Sequence, residues 1–199
     1  VKVARTIRRK ISEEAYDFIH RCCGSYEAQK ADAIYRFVQE GLRMGRAVMS
    51  HLTAPYMQTL FAIERNFTNE SHFFIEILRF EELENGTLFG RINPKSEVLP
   101  YLADHFADRF AGEQWVIADT VHRTVLLHKA NYKTVYLSMD EVDMDELTLT
   151  YSEDEKQLQK LWKLFVDTIA IKERVNPKLQ RQMLPLRFRK YMKEFSESE

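Results

Sequence analysis

The chain has 199 residues and a formal net charge of −1, and 45% of it is hydrophobic, including 13 Phe and 9 Tyr. That is the make-up of a folded globular protein with a substantial core in one domain, and no apolar run approaches the roughly 20 residues that a membrane helix needs. The two cysteines, Cys22 and Cys23, are adjacent and cannot staple distant parts of the chain. A reducing compartment, the cytoplasm, is therefore expected. The chain opens directly in helical sequence without an initiator Met or a signal-like start, so a further natural N-terminal segment is also expected.

A helical layer is predicted for about residues 1–68. Residues 2–10 are basic (Lys2, Arg5, Arg8, Arg9, Lys10), with Val3 and Ile7 at helical spacing, and Ser12 before Glu13 and Glu14 reads as the cap of the next helix, which Gly24 ends. From about Tyr26 to Gly45, the residues Ile34, Phe37, Val38, Gly41 and Leu42 share one side, and Gly41 with Gly45 offers room for another backbone. Thr53 then caps a helix to about Phe67.

The period changes over about 70–138, where an antiparallel sheet of about five strands with an inserted helix is predicted. Phe73–Leu83 and Thr87–Ile92 flank Asn85-Gly86, a strong hairpin turn. Ser96 begins a helix whose buried stripe is Val98, Leu99, Leu102, Phe106 and Phe110. Trp115–Asp119, Arg123–Lys129 and Tyr132–Ser138 follow with short connections and should be antiparallel neighbours. The fold class is thus α+β, with C-terminal helices over about 152–195.

Asp140, Glu141, Asp143, Asp145, Glu146, Glu153, Asp154 and Glu155 form an acidic run that reads as a solvated connection, since it lacks the glycine and ligand rhythm of a calcium loop. Leu158, Leu161, Trp162, Phe165 and Ile169 make the next helix strongly amphipathic. Trp115, Trp162, Phe106 and Phe165 are expected among the most buried residues. Asn176 and Pro177 then open a short helix that Pro185 ends, and Phe188, Tyr191, Met192 and Phe195 would stripe a last helix from Leu186. Between Lys172 and Lys193 eight basic residues face Glu173 alone, an excess of seven positive charges on a chain whose total is −1. Such a concentration suits an anionic partner.

Three groups of residues, Leu78-Arg79-Phe80-Glu81-Glu82-Leu83, His105-Phe106-Ala107-Asp108-Arg109-Phe110, and Trp115 to Asp119 with Arg123, form one pattern with Leu161-Trp162, Ile169 to Arg174 and Asn176 to Gln182. The set resembles a bacterial DNA repair or DNA metabolism protein family, a domain of unknown function found beside a radical SAM partner gene or fused to a uracil-DNA glycosylase-like domain. The resemblance covers nearly the whole chain and implies a DNA-related process, with a radical SAM protein or a uracil-DNA glycosylase-like domain as partner. It also implies a longer N-terminus. Phe73 and Glu76 depart from the pattern, which has a basic residue and a glycine near Glu70-Ser71-His72, and Phe188-Arg189 stands where an aromatic pair is usual.

For nucleic-acid contact the candidates are Arg174, Arg181, Arg187 and Lys190 on phosphates, and Asn176, Gln180, Gln182 and Tyr191 on sugars or bases. The alternatives are a protein-docking scaffold, and an enzyme acting on a nucleic-acid base or phosphodiester. In the enzyme, Glu70, His72, His105 and Asp119 would be the acid–base candidates, and Arg79, Arg109 and Arg123 the anion stabilisers. Asp119 and Arg123 would pair across a hairpin, and Arg79, if buried, would need Glu70 or Asp119. No phosphate-binding glycine loop, zinc spacing or iron–sulfur cysteine cluster occurs, so no cofactor or metal is expected.

Overall fold

A computed structural model of the chain describes residues 2–141 and 150–195. Its contacts divide into two compact units, Val1–Glu76 with Pro94–Val98, and Ile77–Asn93 with Leu99–Glu199.

The first unit is helical. It contains α1 (Lys2–Lys10), α2 (Glu13–Gly24), α3 (Lys30–Met44), a 3-10 turn at Gly45–Ser50, and α4 (Pro55–Ile77) up to Glu76. As expected, Ser12 caps α2: its hydroxyl accepts from the Ala15 amide at 3.0 Å. Ile7, Ile11, Ala15, Phe18, Ile19, Cys22, Phe37, Val48, Met57, Leu60 and Ile63 share one buried cluster. Helix α3 starts later than expected, because Ser25 to Gln29 form a turn in which the Ser25 hydroxyl accepts from the Glu27 amide and the Lys30 ammonium donates to the Cys23 carbonyl at 2.8 Å. Phe37 and Gly41 lie buried on its inner face, whereas Leu42 is exposed. Gly41 admits a side chain, not a backbone: a Cβ there would stand 2.5 Å from Ile11 Cδ1. Gly45 has φ +64, the left-handed region that glycine enters without strain, and follows the last residue of α3.

Cys22 is buried and Cys23 exposed. Burial, reinforced by Glu64, pushes the Cys22 thiol up to about 12. One thiol, Cys23, is therefore expected to react with a maleimide in the folded chain, and the second only after unfolding. Mass spectrometry of pulse-labelled protein checks this, and equal labelling of both thiols would contradict the packing described.

The expected strand Phe73–Leu83 requires correction. Helix α4 continues to Ile77, and only Glu81–Glu82 of that stretch pair as a strand. Met57, Leu60, Ile63, Phe67, Ser71 and Phe74 are buried at spacings of three and four, so one helical stripe runs through the apolar segment and no breaker interrupts it.

The second unit holds a five-stranded mixed sheet, which makes the fold α+β. Its strands are β1 (Glu81–Glu82), β2 (Leu88–Ile92), β3 (Trp115–Asp119), β4 (Thr124–His128) and β5 (Val135–Ser138), in spatial order β1-β2-β3-β4-β5. Gly86, at φ +76, turns the expected β1–β2 hairpin, and Asn85 Oδ1 accepts from the Thr87 amide at 3.0 Å. β3, β4 and β5 are antiparallel neighbours, but β2 and β3 run parallel, with Leu88 opposite Trp115 and Ile92 opposite Asp119. The parallel pair follows from the connection, which includes α5 (Leu99–Arg109) and returns the chain to the same end of the sheet.

All five residues of β3 are buried. On one face Val116 and Ala118 join Leu83, Phe89 and Val125. On the other, Trp115 packs with Phe80 and Phe106 at ring-centroid distances of 6.2 and 6.4 Å. Trp115 (0% exposed) and Phe106 (2%) are buried as expected. Trp162 and Phe165 are not, at 39% and 52%. They lie on α6 (Glu153–Ile169), whose apolar side also shows Leu158, Leu161 and Ile169 to solvent.

Of the acidic run, Asp143, Asp145 and Glu146 lie outside the described residues. Glu153 and Asp154 are exposed, but Glu155 is buried and is not part of a solvated connection. Asn176 caps α7 (Pro177–Met183) as expected, its Oδ1 accepting from the Leu179 amide at 3.1 Å. The last helix expected from Leu186 is instead two 3-10 turns, Leu186–Tyr191 and Lys193–Phe195. Bonds from the Phe188 amide to the Pro185 carbonyl and from the Phe195 amide to the Met192 carbonyl tighten them, and Phe188 fills a buried position.

Candidate functional site

Three separated segments of the second unit meet around two buried carboxylates. The β1–β2 hairpin supplies Glu81 and Arg91, the start of α6 supplies Glu155 and Gln159, and the C-terminal turns supply Lys193. Glu81 lies 2.6 Å from the Lys193 ammonium and 3.3 Å from the Arg91 guanidinium. Arg91 also donates to the Tyr151 hydroxyl at 2.8 Å. Gln159 donates to Glu155 at 2.9 Å and to Glu81 at 3.4 Å, bridging the two acids. Arg79 approaches Glu155 at 3.7 Å and lies over the Trp162 ring. Three cations thus serve two carboxylates. The Tyr151 hydroxyl is pushed up to about 12, first by burial and then by its hydrogen bond to Glu81.

The partner of Arg79 is therefore Glu155, not Glu70 or Asp119. Sequence reasoning missed Glu81 and Glu155 as a pair. The one available signal was Glu81 beside Glu82 next to apolar Phe80 and Leu83: a strand turns alternate side chains inward, and Glu81 is buried while Glu82 is exposed.

A second cluster sits where β2 and β3 end side by side. Asp119 is fully buried, and its Oδ1 accepts from the amides of Val121 and His122 at 2.9 and 3.1 Å, while Oδ2 lies 2.7 Å from His122 Nδ1. His122 went unnoticed in the sequence because the pair forms within a tight turn. Arg123 does not pair with Asp119. Its backbone adopts φ 55, and its guanidinium lies 2.7 Å from Asp140. Beside this turn the Tyr191 hydroxyl meets Thr120 Oγ1 at 3.0 Å, the Arg91 guanidinium covers the Tyr191 ring, and Asn93 Nδ2 donates to the Arg187 carbonyl at 2.9 Å.

The C-terminal segment is thus tied down at Arg187, Tyr191 and Lys193, and most of its other polar side chains face solvent. Arg174, Gln180, Arg181, Gln182 and Lys190 are exposed. Asn176 is exposed too, although its Oδ1 serves as the cap of α7. Arg187 is half-buried, with its guanidinium over the Phe188 ring.

The remaining acid–base candidates have local roles. Glu70 is buried in the first unit, with Oε1 accepting from the Lys95 amide at 2.9 Å and Oε2 from the Ser96 amide at 3.1 Å. His72 is exposed on α4. In the second unit, His105 packs edge-on against Phe106 at 5.0 Å, and Arg109 is exposed with its guanidinium over Phe110. Among the described residues no group of three His, Cys, Asp or Glu is placed to hold a metal ion, and no helix is long and apolar enough to cross a membrane.

Fold and site together define an α+β protein in which a basic segment is pinned to a mixed sheet through the buried carboxylate of Glu81 and the hydroxyl of Tyr191. The chain belongs to the DUF4130 family, a domain of unknown function whose profile matches residues 28–194. The matched range takes in the Glu81–Glu155 cluster, the Asp119 turn and Lys193. No curated protein and no solved structure matches the chain.

Proposed function

We propose that the chain is an accessory protein of DNA repair or DNA metabolism that grips nucleic acid through its basic C-terminal region. The observation that carries this role is the excess of seven positive charges from Lys172 to Lys193, with Arg174, Arg181 and Lys190 exposed on a segment that Lys193 and Tyr191 hold against the sheet. Cations held on a fixed surface neutralise phosphates and release counterions, which gives affinity without sequence preference. Gln180 and Gln182, exposed on the same short helix, can donate to sugars or base edges. Changing Arg181 and Lys190 together to Ala is expected to weaken DNA binding across sequences and to flatten its salt dependence by up to about two phosphate contacts. Fluorescence anisotropy with single- and double-stranded DNA at two salt concentrations measures both. An absence of wild-type binding to either form at low salt would sink the nucleic-acid role.

A protein-docking role draws support from α6. Leu158, Leu161, Trp162, Phe165 and Ile169 are 39–60% exposed, a row of large apolar side chains of the kind that marks contact surfaces. The radical SAM protein or uracil-DNA glycosylase-like domain implied by the family resemblance is the partner proposed for that face. Phe165→Glu should abolish such a complex and leave DNA binding intact.

A further inference from the structure

The first unit carries a second basic surface, outside the residues that the family profile matches. Helix α1 has no acidic residue in its first turn and ends in Arg8, Arg9 and Lys10. At about 100° per residue, Lys2, Arg5 and Arg9 fall on one face, opposite the buried Ile7, and all three are exposed. The row is about 10 Å long. Arg8 is held in place, its Nε lying 3.0 Å from Glu13 and its guanidinium 3.9 Å from the centroid of the Tyr16 ring, while His20 stacks on Tyr16 at 5.5 Å. Ala4, Arg5, Arg8, Arg9 and Tyr16 line a shallow groove of about 680 Å³. Among the described residues Arg5 and Arg9 have no ion-pair partner, whereas Glu13 and Glu14 pair with Arg8 and Arg46.

We propose that this groove is a second nucleic-acid contact, one that takes backbone phosphates through Arg5 and Arg9, with Lys2 on the same exposed helix face beside it. The inference rests on the nucleic-acid role proposed above and adds a site to it. Phosphate is favoured over other anions by what the groove lacks. An acidic peptide helix would need apolar anchor pockets, and here the lining is Ala4 and Tyr16 among arginines. A membrane surface would need an extended apolar face on α1, where Ile7 is committed to the core with Ile11 just beyond it and Val3 alone is an exposed large apolar residue. Base stacking on Tyr16 is precluded because Arg8 and His20 already pack against the ring. The contact therefore supplies affinity and position without sequence preference, and single and double strands should both use it.

The test uses the whole chain with fluorescein-labelled single-stranded and duplex DNA of ~20 nucleotides at two salt concentrations. Wild type is compared with Arg5→Ala/Arg9→Ala and with Arg181→Ala/Lys190→Ala, and thermal melts confirm that each variant folds. The expected result is that Arg5→Ala/Arg9→Ala weakens both DNA forms by about five- to twentyfold and flattens the salt slope by about two. Wild-type binding that this variant leaves unchanged overturns the inference while the C-terminal role stands. Loss confined to Arg5→Ala/Arg9→Ala, with Arg181→Ala/Lys190→Ala like wild type, supports the groove and removes the C-terminal contact. No wild-type binding at low salt overturns both. Binding to anionic phosphatidylserine vesicles that depends on Arg5 and Arg9, without DNA binding that does, also overturns the inference.

Discussion

Glu81→Ala is expected to destabilise the second unit by about 2–3 kcal/mol, because it strands two cations around a buried cavity. The side chain is only 7% exposed and faces Lys193, Arg91, Gln159 and Tyr151. Lys193 and Arg91 keep 22% and 31% of their side-chain surface in water, so the loss is smaller than for a fully enclosed pair. Glu81→Gln, which keeps the shape and an acceptor, should cost less. Glu82→Ala provides the control: its neighbour on β1 points outward, and the change should stay within about 0.5 kcal/mol. Urea unfolding of the three variants measures the differences. Equal midpoints for Glu81→Ala and Glu82→Ala would mean that the buried carboxylate contributes nothing to holding the C-terminal segment.

Stability is also expected to fall as pH rises above about 9. The Cys22 thiol donates to the Leu60 carbonyl inside the helical core, and burial moves its pKa from 9.0 to about 12. Between those values the folded chain keeps a proton that the unfolded chain has lost. Each pH unit in that window therefore favours unfolding by about 1.4 kcal/mol. Below pH 9 both states are protonated and the group contributes no slope. Tyr151, raised from 10.0 to about 12 by burial and by Glu81, acts in the same direction from pH 10 upward. Cys22→Ala should remove the first part of the slope, and Tyr151→Phe should remove the second. Urea midpoints collected from about pH 8 to pH 11 measure both effects, and a wild-type profile flat across that range would contradict the burial of both groups.

Local chemistry was legible in the sequence where one turn of chain decides the outcome. Ser12 and Asn176 cap helices because their side chains reach amides three residues on, and Asn85-Gly86 makes its hairpin because Gly86 accepts a positive φ. Strands β3 and β4 were placed to within a residue at each end, and β5 ends at Ser138 as expected but starts at Val135 rather than Tyr132. The errors arose where two periods fit or where distance mattered. Phe73 to Ile77 satisfy a strand pattern as well as the tail of α4, and the upstream stripe from Met57 decides for the helix. Amphipathicity located the apolar side of α6 but carries no information on what covers it, so Trp162 and Phe165 were wrongly placed in the core. Charge counting found the basic segment. It did not show that Lys193 is committed to Glu81, or that the hydroxyl of Tyr191 is engaged by Thr120. The Asp119–His122 pair lay hidden because a carboxylate beside a turn has several equally near partners.

The sheet order has a consequence for biosynthesis. β1 to β5 lie side by side in the order in which they are translated, so each new strand meets its neighbour through a tight turn or a single helical crossover. The hairpins pair locally and therefore early, whereas the parallel β2–β3 pair waits for the longer crossover through α5. Glu81 belongs to that first hairpin, whereas Glu155, Gln159 and Lys193 leave the ribosome only after β5. During that interval the carboxylate on the first strand has Arg91 for company and stays wet on its other side. The final segment then acts as a clasp: its arrival brings Lys193 to Glu81 and converts an early scaffold into a locked one.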